Sequence, residues 1–418
     1  MAPPAAAQTT AESDEVDRRL SRRGSIVKRW VARPTGAPED IKLFKDFFDT
    51  YYFPAMTQSG AIEMGDIATL RYNFFRQFMT PATPEIQKQL TDKAFVFASR
   101  VIRRKAADGK PRRYSREVEY NAVLLLGDLG SSYPRTGAKP KPEANTFLCQ
   151  ISGLASTKRL PAYMQAGALV GLAKHAAFLD ELPQTNQEKT TTALLTATGP
   201  DAVADGGDML TKDWLRGRAA SGLAAIAKKT GDAKLIAKLV ELAGDDSLTL
   251  DTRAEIAASL DGLSLPPDGS AAQTVLALAG EIGEAEAKEA ADFEEKQIGS
   301  RGSRDAAQLI KSDRFRYDTT SSRWVYVREG LAARLNALRA GLQATRASAG
   351  DRAQRIQTAA TAVNATLSQA INEDTIDLDV SAEIKRMGDV LKSVAKDPGE
   401  ADAEAATDEV EEEAAGLF

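Results

Sequence analysis

The chain has 418 residues, yet only one cysteine, Cys149, and one histidine, His175. That inventory argues against an intramolecular disulfide, a zinc cluster, a Cys–His nucleophile pair and a Ser–His–Asp triad. Aromatic residues make up only 6% of the chain and β-branched runs are few, which argues against a β-sandwich or barrel. No apolar run approaches the roughly 18 residues of a membrane span. The phosphate loop GxxxxGK[ST], a GxGxxG turn after a strand and the GxSxG elbow are all missing. Ser25–Lys28 and Ser393–Lys396 match SxxK in form only, because the partner motifs of an acyl-enzyme site are lacking. Asp201, Asp205 and Asp208 are dense in carboxylate, but their spacing is not that of an EF-hand loop. The chain therefore reads as a protein that is not an enzyme and that needs no cofactor or metal.

What is present is enough apolar residue to bury a core: 43% of the chain, with a net charge of −5. The length allows two to four packing units or one elongated array. Residues 1–16 are small and polar and read as a disordered tail. They have neither a charged n-region nor an apolar h-region, so the expected compartment is the cytoplasm. The alternative takes Ala5-Ala6-Ala7 as the remnant of a signal peptide behind a misassigned start codon, and the protein as exported or periplasmic.

Residues 17–114 read as a basic, aromatic-rich helical cap. Asp17–Pro34 carries seven basic residues against one acid, with Trp30 among them. Asp40 is a candidate cap for a helix whose Ile41, Phe44, Phe48 and Tyr52 recur at helical spacing, and Pro54 is expected to end it. A second helix is expected over 66–79. A third starts at Thr83-Pro84-Glu85, with Ile86, Leu90, Ala94, Phe97 and Val101 on its apolar face. Twelve of the chain's aromatic residues fall between Phe44 and Phe97, which predicts an aromatic core for this cap.

From 115 to 298 the composition shifts to Ala, Leu and Gly, and the sequence begins to repeat itself. Four helical segments align on Leu126, Leu169, Leu223 and Leu260, at spacings of 43, 54 and 37 residues. Three places before each leucine stands a short side chain: Val123, Ala166, Ala220 or Ala257. The later two copies add an arginine seven places before it, Arg216 and Arg253. Small residues there let a second helix approach closely, and stacked neighbours are needed to finish each core.

With its Leu126-Gly127-Asp128-Leu129-Gly130 and Arg216…Ala219-Ala220…Leu223 patterns, this region resembles the second helices of HEAT repeats. The intervening runs 143–154, 188–197 and 233–243 supply first helices. The resemblance implies an all-α, irregular helical-repeat solenoid and carries no catalytic residues. The spacing is uneven, the first two copies lack the arginine, and a long insert surrounds 199–207. Arg216 and Arg253 are expected to bond neighbouring turns, Cys149 to act as a small buried hydrophobe, and His175 to favour a helix C-terminus as a cation.

Residues 299–396 predict a C-terminal helical hairpin and a further helix. The alternation around Trp324 allows a small β-hairpin. A helix from Ser322 is preferred, because Trp324, Leu331 and Leu338 recur at seven. Residues 397–418 read as a disordered acidic tail, with eight acids and no base over 400–413.

The function expected of such an architecture is a noncatalytic protein–protein interaction scaffold, and its partner a protein. The candidate binding residues are Arg18, Arg22, Arg23, Lys28, Arg29 and Trp30, with Arg103, Arg104, Lys105, Arg112 and Arg113. Nucleic-acid binding by the same basic segments, 18–33 and 103–116, is the alternative. A second alternative is an exported or envelope-associated structural protein.

Overall fold

The computed structural model describes residues 11–57, 64–103, 114–133, 139–156, 160–200, 209–299, 314–318, 323–372 and 374–396. These residues form helices and two short antiparallel hairpins, so the fold is all-α. The chain divides into two compact units, Met1–Asp208 and Met209–Phe418. That boundary falls inside the expected repeat region 115–298 and leaves two of the four aligned copies in each unit. Residues 201–208, with the carboxylate-dense Asp201, Asp205 and Asp208, and residues 397–418 lie outside the described residues.

In the first unit, α1 spans Ala11–Ala32. Residues 11–16, expected in the tail, therefore belong to a helix, as their Ala and Glu content permits. Its buried face is Val27, Trp30 and Val31. Residues 38–55 form α2, with Pro38 at the first turn and Ala37, not Asp40, at the N-cap. The helix widens to a π-helical turn over Phe47–Tyr52 and closes over Phe53–Ala55, passing through Pro54. Residues 64–79 form α3, which also ends in a π-helical segment, Phe74–Met79.

The two widened turns carry the aromatic core. Phe48 lies 5.2 Å from both Phe47 and Phe78, edge to face, and Phe53 stacks on Phe97 at 4.9 Å. Such pairs add about 0.5–1.5 kcal/mol each beyond their burial. Within this cluster the Tyr52 hydroxyl donates to Leu70 O at 2.8 Å.

Helix α4, Pro84–Arg103, starts as expected behind Thr83 and packs on α5, Arg116–Asp128, which Ser115 caps. A hairpin of β1 (Gly130–Ser132) and β2 (Lys139–Pro140) leads into α6, Pro142–Ser156. Then follow α7, Ala162–Ala176, and α8, Gln184–Ala197. The expected second helices α5 and α7 pack side by side, as do the expected first helices α6 and α8. Leu126, Leu169 and Val123 are fully buried, while Ala166 is half-buried. The α5–α7 crossing is closed by glycines: a Cβ added at Gly127 would stand 2.6 Å from the Gly171 Cα.

The second unit opens with α9 (Met209–Thr230), α10 (Ala233–Ala243) and α11 (Leu250–Ser259), each packed on the other two. Leu223, Leu260, Ala220 and Ala257 are buried. Arg216 donates to Asp245 at 2.5 Å and to Ser247 at 2.9 Å. Arg253 grips both oxygens of Glu281, at 2.5 and 2.8 Å, and its Nε donates to Ala243 O at 3.0 Å. Both arginines thus bond neighbouring turns, as expected.

Helix α12 runs unbroken over 30 residues, Ser270–Gly299. The preferred helix from Ser322 is not found. Phe315–Asp318 (β3) pairs with Arg323–Tyr326 (β4), and helix α13 begins only at Arg328, ending at Thr345. The period-two alternation wins here because Trp324 and Tyr326 both turn inward, Tyr326 against Phe293 and Trp324 against Phe315. The heptad match of Trp324 to Leu331 was coincidental, although Leu331, Leu335, Leu338 and Leu342 do line the buried face of α13. Helix α14, Ala353–Ile371, packs on α13, and α15, Asp377–Ala395, packs on α14 and along α12. At that last contact a Cβ on Gly388 would meet Gly283 O at 2.7 Å.

A buried charge network pins this unit. Arg334 of α13 bonds Glu286 of α12 and Asp251 of α11, and Arg314 reaches Glu286 at 3.1 Å. Arg334 and Glu286 are both almost wholly out of solvent.

Two outcomes follow for stability. Gly127→Ala should lower it by about 1–3 kcal/mol through overpacking against backbone, read as a shifted urea midpoint at unchanged slope. Glu286→Ala should cost about 3–5 kcal/mol because it strands a buried guanidinium. Pairing it with Arg334→Met should recover much of that loss.

Candidate functional site

The basic residues expected in the N-terminal cap are sorted by α1. Val27, Trp30 and Val31 turn inward, so the cations face out. Trp30 is a correction to the candidate set. It is only 9% exposed, with its ring 5.0 Å from that of Phe44, and it anchors α1 rather than offering a recognition surface. Arg22, Arg23, Lys28 and Arg29 are all exposed. Arg22, Ile26 and Arg29 fall in one stripe at helical spacing, continued by Arg33, and Ile26 is 41% exposed between them. Among the described residues, the side chains of Arg22, Arg23, Arg29 and Arg33 make no ion pair or hydrogen bond. Lys28 lies over the Phe78 ring at 5.8 Å.

The backbone of Arg18 belongs to α1, but its side chain lies outside the described residues. Arg103 is exposed at the end of α4, with its guanidinium 5.2 Å from the Phe147 ring centroid. Arg104, Lys105, Arg112 and Arg113 lie outside the described residues. The structure thus brings four of the candidates together on α1 and places Arg103 on another element.

A second feature lies between α6 and α8, and none of the expected binding residues lines it. At one end the two helices are zipped by a buried polar ladder. Asn186 donates its amide to Asn145 Oδ1 at 3.0 Å and to Thr146 Oγ1 at 2.9 Å. Asn145 Nδ2 donates to Thr190 Oγ1 at 2.9 Å and reaches His175 Nδ1 at 3.3 Å. Beyond Thr190 the facing residues shorten to Gly153, Ala193 and Ala197, and the helices border an open cleft of about 540 Å³ whose Gln150, Gly153, Thr192 and Thr196 are exposed. Its floor is Gln165 of α7.

Cys149 stands at the mouth of the ladder, 3.9 Å from Thr190 Oγ1, and is half-buried rather than fully inside. Burial pushes its thiol up, against the weaker pull of Thr190 and Lys189, so the neutral thiol lines the cleft. The signal in the sequence was faint: uncharged residues at 146, 149, 150 and 153 and at 192, 193 and 196, both at helical spacing.

His175 is neutral rather than a helix-end cation. Burial, helped by the charge of Lys174, pushes it from 6.5 down to about 4. Among the described residues, no group of three or more His, Cys, Asp or Glu is placed to hold a metal. No described helix is long and apolar enough to cross a membrane.

The depressed His175 value sets a pH dependence. Between pH 6.5 and 4 the unfolded chain binds a proton at this site that the folded chain refuses, so stability falls as the pH drops through that window. The loss should reach up to about 3 kcal/mol. Urea titrations from pH 7 to 4.5 should show that loss, and His175→Gln should flatten it.

Comparison of the chain with protein-family models, with curated proteins and with solved structures gave no match in any of the three.

Proposed function

We propose that the chain is a noncatalytic protein-interaction scaffold, a short irregular HEAT-like array that presents the basic face of α1 to an acidic partner segment. One observation carries this reading. Arg22, Arg23 and Arg29 are exposed and unpaired among the described residues, on a helix held by an aromatic core. Guanidinium groups already free of carboxylates need lose no existing bond before forming bidentate contacts with a partner's acids. The side-by-side packing of α5 with α7 and of α6 with α8 supports the repeat architecture.

Ile26 favours a protein over nucleic acid. An exposed isoleucine between arginines adds an apolar contact of the kind that protein interfaces use, whereas a phosphate backbone calls only for cations. The overall charge of −5 points the same way.

Native mass spectrometry of the protein isolated from its source should show a stoichiometric protein partner. Arg22→Glu with Arg29→Glu should weaken that complex at least tenfold, and Ile26→Ala severalfold, with thermal stability unchanged. A nucleic-acid ligand would instead give affinity falling by about 0.9 log units per log salt for each phosphate contacted. It would also be indifferent to Ile26→Ala. A complex untouched by the double reversal overturns the assignment to α1.

A further inference from the structure

Of the ten large apolar residues left exposed among the described residues, three fall within eight positions at a single turn. Ile371 ends α14 and is 62% exposed; Ile376, the N-cap of α15, is 57% exposed, and Leu378 in its first turn 46%. The stretch 371–379 carries four acids and no base. Asp377 is paired with Arg328 at 2.6 Å. Asp374 and Asp379 are exposed, and among the described residues their carboxylates make no ion pair or hydrogen bond.

The turn is held in one shape. Arg328, at the start of α13, donates to Asn372 O at 2.8 Å and also to Thr375 O, besides bonding Asp377. In that shape the three aliphatic side chains stay in water. An ordered turn with an apolar centre and free charge beside it has the make-up of an interface patch, and little of it remains to be ordered on binding.

Its complement lies on α1. Residues 22–29 carry four bases and no acid, with Ile26 exposed among them. The two patches are opposite in sign, each offers aliphatic surface, and each has charges that the fold leaves unpaired.

We propose that the α14–α15 turn of one copy is the acidic segment that docks on α1 of a second copy. This rests on the reading of α1 given above and names its partner. Ile26 meets the aliphatic group of the turn, while Asp374 and Asp379 accept from the guanidinium groups of Arg22 and Arg29. Each molecule supplies one turn and one basic face, so acidic and basic patches are always equal in number. Because two different surfaces meet, each docked copy still has a free patch of either kind. Association then continues into open chains unless the rotation closes a ring. Each patch is one turn or one helix face, so the contact belongs to the small, transient class and is sensitive to salt.

Sedimentation velocity of the full chain from about 5 to 500 µM should give a sedimentation coefficient that climbs with concentration. Raising the salt to about 1 M should weaken the association at least tenfold. Asp374→Lys with Asp379→Lys should do the same, as should Arg22→Glu with Arg29→Glu. Combining all four should restore association, because the charges are then exchanged rather than removed. Ile371→Ser with Ile376→Ser should weaken it severalfold at unchanged melting temperature. Serine suits the N-cap of α15, so this pair decides the matter should lysine at 379 unsettle the helix. A sedimentation coefficient that stays flat over the range overturns the proposal. So does association that survives either charge reversal, or that the four substitutions together fail to restore. A chain that stays monomeric while Arg22→Glu with Arg29→Glu still breaks a complex with another protein sinks the pairing of copies and leaves the reading of α1 standing.

Discussion

Helices cannot pack closer than their side chains allow, and both units rest on places where the side chains have been removed. In the first unit, Gly127 and Gly171 bring α5 and α7 into backbone contact. The same glycine seats the next helix, because Leu148 of α6 fills the space where a Gly171 Cβ would stand, with its Cδ1 at 2.8 Å. One turn along α7, His175 meets Asn145 of α6. The crossing, the polar ladder and the cleft wall are thus consecutive steps along two helices. In the second unit Gly283 and Gly388 do the same for α12 and α15. There the long helix α12 passes two glycines, Gly280 and Gly283, without breaking, since close contact with α15 offsets their poor propensity.

Polar groups buried between helices serve a different end from apolar ones. An apolar face tolerates sliding, whereas Asn145, Asn186 and Thr190 satisfy one another in only one register of α6 against α8. Once the register is fixed at that end, the residues beyond it decide how far the walls stand apart. Short residues leave a gap that a repacked pair of helices would close.

Much of this was legible in the sequence where the signal is local. Periodicity located most of the helices: Pro84 marked the start of α4, and the run 233–243 is a helix over that whole span. The four aligned leucines are all buried, and of their small partners only Ala166 is half-buried. The errors have physical causes. Trp324 fitted both a heptad, which was preferred, and an alternation, and burial of Trp324 against Phe315 and of Tyr326 against Phe293 decided for the strand. Trp30 lay among arginines in the sequence but about 100° round the helix from Arg29, toward Phe44. The cleft was illegible because its character comes from what is missing between α6 and α8, and a gap leaves no motif.

The arginines show where local reading stops. Arg328 and Arg334 look like the arginines of α1 in sequence, yet, like Arg216 and Arg253, each is paired with a carboxylate. The carboxylate partners of Arg253, Arg328 and Arg334 lie 28 to 83 residues away along the chain, so no short window on the sequence contains both ends of the pair. Burial then makes such pairs structural: once the guanidinium is out of water, losing its carboxylate is far costlier than the pair is worth at the surface. The arginines of α1 have the opposite environment. Their side chains stand in solvent, where repulsion between neighbouring charges is screened but not removed. A helix face of like charges gains nothing from its own fold and is relieved by an acidic surface brought against it. The same residue type thus meets two environments, and the difference is set by whether the fold delivers a carboxylate to it.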